Sequence, residues 1–162
     1  VIQGNSIEEY LKCVKELLRL KCERFAIGNL ARLSARKRVN EVIEIVSCVR
    51  KFIGQNPLHV LGVSNVKILE KIKPYITSFD SSSAIQLATM RKAVLEFCNG
   101  VVKDIRGWNK RPVNFKCECN VCKNFNVFQD EHSLPLGTGE RRVTRYLRAI
   151  HNAYVIWKVA HS

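Results

Sequence analysis

Acidic residues are scarce in this chain: 14 Asp and Glu stand against 27 Lys and Arg in 162 residues, a formal charge of +13 at pH 7. A surplus of that size repels itself in the folded state and is most simply offset by a polyanion, so nucleic acid is the leading partner class. Proline and glycine are also sparse, at 4 and 8 residues, while 46% of the chain is hydrophobic. Those figures exclude a disordered basic tail and leave enough apolar material for a core. No run approaches the ~20 apolar residues of a membrane span, and Val1 to Ser6 lack the basic-then-apolar order of a secretory signal. A soluble protein without a membrane partner is expected. Methionine occurs once, at Met90, so Val1 is not an initiator and any targeting segment before it is out of view.

Catalytic signatures are lacking too. The four histidines, at 59, 132, 151 and 161, show no H-x-E or HExxH pattern, and the acidic residues are too dispersed for a two-metal nuclease centre. Gly137-Thr138-Gly139 lacks the Lys-Ser/Thr of a phosphate loop. No enzyme is expected. The seven cysteines are odd in number and scattered, unlike a secreted disulfide scaffold, which points to a reducing, cytoplasmic interior.

Helical periods dominate what is present. Ser6 and Glu9 form a capping box before Ile7, Tyr10, Leu11, Val14 and Leu17. A second helix is predicted from Leu30 or Ala35 to Ile53, stopped by Gly54 and Pro57. Ser64 is expected to cap a short helix that Pro74 ends. Ser83 and Gln86 open another, with Val94 and Phe97 on its apolar stripe and Asn99-Gly100 as a stop or kink. The period vanishes between Pro112 and Gly139 and returns from Glu140 in a long last helix. Val101 to Ile105 and Phe125 to Phe128 are β-compatible but have no evident partners. The expected fold is therefore all-α: a compact bundle of five to seven helices, or two helical subdomains (1–76 and 77–162), with an aperiodic cysteine-containing loop at 112–139.

The charge falls in clusters. Arg32, Arg36, Lys37 and Arg38 precede or open the second helix, and Arg50 and Lys51 close it. Arg141, Arg142, Arg145 and Arg148 mark one edge of the last helix, and Lys110 and Arg111 follow Trp108. Arginines one turn apart can grip adjacent phosphates, so these residues are the predicted RNA contacts. Cys117, Cys119 and Cys122 crowd six residues, with His132, His151 or no residue as a fourth zinc ligand. His132 is the nearest histidine in sequence, giving the set Cys117, Cys119, Cys122 and His132. Reduced loop or core cysteines, with no cofactor, are the default.

In size, charge and helical organisation, with basic segments at Arg32–Arg38 and Arg141–Arg148, the chain resembles the RNA silencing suppressors of closteroviruses of the beet yellows virus type. That resemblance implies an all-helical protomer that assembles into a ring, binds double-stranded small RNA without regard to sequence, and acts by sequestration in the host cytoplasm. It supplies no individual site residue. A-form duplexes hide their base edges, which fits recognition by shape and phosphate. The competing expectation is a zinc-stabilised DNA-binding or regulatory module. A helical protein-interaction factor and a nuclease are further alternatives.

Overall fold

Helix α1 (Ile7–Arg19) starts where the capping box predicts. The Ser6 hydroxyl accepts the Glu9 N–H at 3.4 Å, while the Glu9 carboxylate accepts from the Asn5 N–H at 2.8 Å. The computed structural model describes residues 1–30, 33, 38–63, 65–90, 93–99, 101–106, 115–128 and 139–162. The chain divides into two units, Val1–Ser82 and Ser83–Ser162. Among the described residues no helix is long and apolar enough to cross a membrane.

Both units contain a sheet, which overturns the all-α expectation. In the first unit, β1 (Phe25–Ile27), β2 (Leu58–Val60) and β3 (Ser78–Phe79) lie parallel in the order β1-β2-β3. Phe25 pairs with Leu58 and His59 with Ser78. Ile2 bridges to Ile27 on the far side of β1, also in parallel sense. Helix α2 (Val39–Ile53) links β1 to β2, and α3 (Val66–Ile72), followed by a 3-10 turn at Lys73–Tyr75, links β2 to β3. Parallel strands laid down in chain order are common to a (β/α) barrel arc and to one half of a doubly wound sheet.

The reason these strands escape periodic reading is their length: two or three residues cannot show a period of two. The helices dominate the core. Helix α2 buries Val42, Ile45, Val46, Val49 and Ile53, worth roughly 10 kcal/mol of transfer free energy before entropy is set against it. It ends at Gly54, whose φ of +62° suits glycine. The cap of α3 is Asn65, whose side chain accepts the Lys67 N–H at 2.9 Å. Ser64, the expected cap, lies outside the described residues.

In the second unit the helix opened by Ser83 is short. Helix α4 (Ser83–Thr89) gives way to β4 (Ala93–Cys98), which pairs antiparallel with β5 (Val101–Arg106) from Ala93↔Arg106 to Cys98↔Val101. The chain thus reverses between Cys98 and Val101, where a helix stop or kink was expected, and Gly100 lies outside the described residues. Asn99 takes a φ of +51°, the left-handed conformation that such turns require. The partner for Val101–Ile105 lay immediately upstream, where Val94, Leu95 and Phe97 also fit a helical stripe.

Helix α5 (Asn120–Asn124) and the long α6 (Glu140–His161) complete this unit. Helix α6 packs on α4 and β4. One edge of β4 is taken by β5, and two neighbouring residues of α6 serve the other. The buried Asn152 accepts the Leu95 N–H at 2.8 Å and donates to the Ala93 carbonyl at 3.0 Å, while His151 Nε2 lies 2.7 Å from the Leu95 carbonyl. A sheet edge that would be left with orphaned peptide groups is thereby satisfied by side chains.

A candidate metal centre

The hydrogen bond that seats His151 on β4 also sets its tautomer. With Nε2–H donating to Leu95, the Nδ1 lone pair faces the other way, toward three sulfurs. Nδ1 stands 3.6 Å from Cys117 Sγ, 3.4 Å from Cys119 Sγ and 3.2 Å from Cys122 Sγ. The four ligand atoms all lie within 4.8 Å of one another.

Local sequence explains how the cysteines converge. Cys119 caps α5, its thiol accepting the Cys122 N–H at 3.3 Å, so the first turn brings these two sulfurs together. Cys117 lies two residues earlier, next to Phe115. The ring of Phe115 meets Phe128 edge-on at 4.9 Å and is tilted against the His151 ring at 5.8 Å. Val94, Phe115, Cys119, Val121, Val127 and Phe128 form the apolar cluster around the site.

The donor set fits a divalent cation. Tetrahedral zinc bonds of about 2.3 Å to sulfur and about 2.0 Å to nitrogen imply N···S edges of roughly 3.5 Å, close to the observed spacings. Burial, reinforced by the neighbouring sulfurs, pushes the Cys122 thiol well above its ordinary range, and burial likewise raises Cys117. Burial lowers His151 despite its bond to Leu95, keeping the imidazole neutral. A cation lets the buried thiolates share this space; protons alone leave them as crowded thiols.

The fourth ligand is therefore His151. His132, placed in the set by its proximity in sequence, lies outside the described residues. The sequence offered His151 as one of several alternatives; its signal was a histidine beside Asn152 on the inward face of the last helix.

The predicted RNA contacts have diverse surroundings. Arg32, Arg36, Lys37, Lys110 and Arg111 lie outside the described residues. Arg38 is exposed and paired with Glu41, and Lys51 is exposed. Arg50 binds the chain itself: its guanidinium donates to the Tyr75, Gly54 and Asn56 carbonyls at 2.6, 2.7 and 2.8 Å. On α6, Arg142 is exposed, Arg141 and Arg145 are half-buried, and Arg148 is 1% exposed, its Nε donating to the Val127 carbonyl at 2.8 Å. Arg148 thus occupies the interior and not the basic edge expected of it.

A second chemical grouping sits in the first unit. Asp80 follows β3 directly, at the carboxyl end of the parallel sheet, where βα enzymes place their reactive groups. Its Oδ1 accepts the Gly62 N–H at 2.8 Å and lies 3.5 Å from His59 Nε2. His59 Nδ1 is 2.8 Å from the Ser78 hydroxyl. The Asp80 side chain is 59% exposed, open to a ligand. Asp80 is absent from the candidate residues drawn from the sequence; its place directly after the two-residue strand Ser78–Phe79 emerges only with the fold.

Parallel strands in chain order with a carboxylate at their carboxyl ends, joined to a three-cysteine, one-histidine ligand set, define an α/β protein with a cluster that could hold a metal ion entirely on protein side chains. The chain belongs to the queuine tRNA-ribosyltransferase family, whose model matches residues 1–161. A curated relative, the queuine tRNA-ribosyltransferase of Shewanella oneidensis, is 26% identical over 132 residues, which cover 78% of this chain and 34% of the relative. The chain thus spans about a third of that relative's length.

Family membership corrects the functional expectations. The likeness to closterovirus silencing suppressors, and with it sequestration of double-stranded RNA by a viral protein, is overturned, as is the zinc-stabilised DNA-binding or regulatory module. The expectation of a non-enzyme is overturned too, because the family is one of ribosyltransferases. A surplus of positive charge reads the same whether a polyanion is stored or chemically altered, so charge alone could not separate the two.

Proposed function

We propose that this chain forms part of a ribosyltransferase that exchanges a base on a polynucleotide, with zinc bound by Cys117, Cys119, Cys122 and His151. The carrying observation is that closed ligand set, within a family match over nearly the whole chain. Four protein ligands leave no open coordination position, so the zinc supplies structural cross-linking and not Lewis-acid chemistry.

Ribosyl transfer needs a group to hold the sugar carbon C1′ while one base leaves and another arrives. Asp80 suits that role, since it is an exposed carboxylate oriented by the Gly62 N–H. A carboxylate oxygen bonds to C1′ as the C1′–N bond breaks and its electron pair leaves with the departing base. A ring nitrogen of the incoming base then displaces the carboxylate. The departing base gains a proton and the incoming base loses one, so the exchange balances. The formal +13 supports an RNA partner, with Arg38, Lys51, Arg141, Arg142 and Arg145 as candidate phosphate contacts.

The test is incubation of the ribosyltransferase that contains this chain with tRNA and labelled queuine. Incorporation of label is expected, with Asp80→Asn abolishing it while leaving tRNA retention in a gel shift unchanged. Undiminished incorporation by Asp80→Asn removes the carboxylate from the mechanism. The absence of stoichiometric zinc in protein purified without added metal removes the structural centre.

A further inference from the structure

A cavity of ≈ 180 Å³ opens on one side of the metal-ligand set in the second unit, with Cys117, His151, Phe115 and Tyr154 in its wall and Lys116, Lys158, Glu96 and Glu118 around it. Its size admits one planar ring, since an apolar cavity of about 150 Å³ takes up benzene. Beyond the cavity the aromatic surface continues along α6. Tyr154 stacks with Trp157 at 6.2 Å and 26°, and Trp157 with His161 at 4.7 Å and 29°. Trp157 is 55% exposed, so a large aromatic face is left open to solvent. Lys158 leans over the Tyr154 ring, its Nζ 5.7 Å from the centroid.

We propose that this cavity and the aromatic ladder leading from it form a binding site for an unpaired base of the polynucleotide and its flanking phosphates. The inference rests on the polynucleotide partner proposed above and gives that partner a second foothold, separate from the Asp80 chemistry. An exposed tryptophan beside lysines is the combination that holds single strands, the ring stacking on a base while the cations follow the backbone. Glu96 and Glu118 sharpen the choice of occupant. Carboxylates beside the lysines disfavour a bare polyphosphate or sulfated polymer, yet they can accept hydrogen bonds from the amino groups of a base.

The experiment is fluorescence polarisation of a labelled single-stranded RNA on the full chain across a salt series, with heparin as competitor. Trp157→Ala, an exposed position, is expected to weaken RNA binding about fivefold or more with an unchanged salt slope. Lys116→Ala with Lys158→Ala is expected to lower the slope of log affinity against log salt by about 1.4, the value for two single-strand phosphate contacts. Circular dichroism verifies the fold of each variant.

RNA binding by the wild type that both variants leave intact overturns the site but not the polynucleotide partner. Failure of the wild type to bind any oligonucleotide overturns both. Heparin displacing RNA mole for mole, with Trp157→Ala equally impaired toward each, reduces the surface to a general polyanion patch and overturns the base-stacking site. A Trp157→Ala variant that changes the sedimentation state while keeping RNA affinity assigns the ladder to self-association, which also overturns it.

Discussion

Replacing Asn152 by Leu tests how much of the second edge of β4 depends on Asn152, with His151 left in place. Asn152 is fully buried and serves the Leu95 N–H and the Ala93 carbonyl, with a longer third contact of 3.4 Å to the Ala84 carbonyl. Leucine has similar size but no polar atoms, so it leaves two peptide groups unpaired in a site closed to water. Each such group costs about 1–3 kcal/mol. Two therefore cost roughly 4 kcal/mol, from which burial of the apolar side chain recovers about 1 kcal/mol. The net loss of about 3 kcal/mol is a large share of a domain's stability. For a unit of this size, Ser83–Ser162, it corresponds to a midpoint lowered by roughly 15 °C. Thermal melts by circular dichroism and hydrogen exchange of the Leu95 amide measure it. A melting midpoint within about 3 °C of wild type in Asn152→Leu would refute the reasoning.

Other consequences can be measured alongside it. Purified protein is expected to hold one zinc per chain by elemental analysis, and Cys122→Ser or His151→Ala to lower that occupancy while Cys98→Ser, on the exposed end of β4, leaves it intact. Because burial raises the Cys117 and Cys122 thiols, protons compete more strongly as pH falls; zinc should be released on acidification and regained on return to neutral pH, as a chromogenic chelator would report. Arg50→Ala removes donors from three carbonyls, those of Gly54 and Asn56 just after α2 and of Tyr75 in the 3-10 turn, and should destabilise the first unit by about 2 kcal/mol in urea unfolding. An unchanged urea midpoint would return Arg50 to the pool of phosphate contacts. Asn99→Val forces a β-branched residue to a φ of +51° and should cost about 1–2 kcal/mol, read from the same titration.

How far the sequence discloses this molecule depends on the range of the interaction being read. The α1 cap, the Gly54 stop and the long last helix are local patterns, and all are present. Three cysteines within six residues are local as well, so three-quarters of the metal set was legible. The choice of His151 over His132 or no residue as the fourth was not, since His151 reaches the cysteines only after α6 packs on β4. The parallel strands are short because their stability comes from neighbours brought in by whole helices, and a segment such as Leu58–Val60 carries no period of its own. The β4–β5 hairpin was legible in principle. Asn99-Gly100 between Ala93–Cys98 and Val101–Ile105 is a strong turn signal in the sequence, masked by apolar spacing that also suits a helix.

The adjacency of His151 and Asn152 has a consequence for how this protein can change over evolutionary time. Both side chains must meet β4 together, so inserting or deleting one residue between Thr144 and Asn152 would turn the pair by about 100° around the helix and away from the strand. Length variation among descendants should therefore be confined to the approach to α6 and to its far end beyond Val159. The intervening turns can exchange residues but not their number, and one frame-preserving indel there would cost the ligand and the strand edge in a single event.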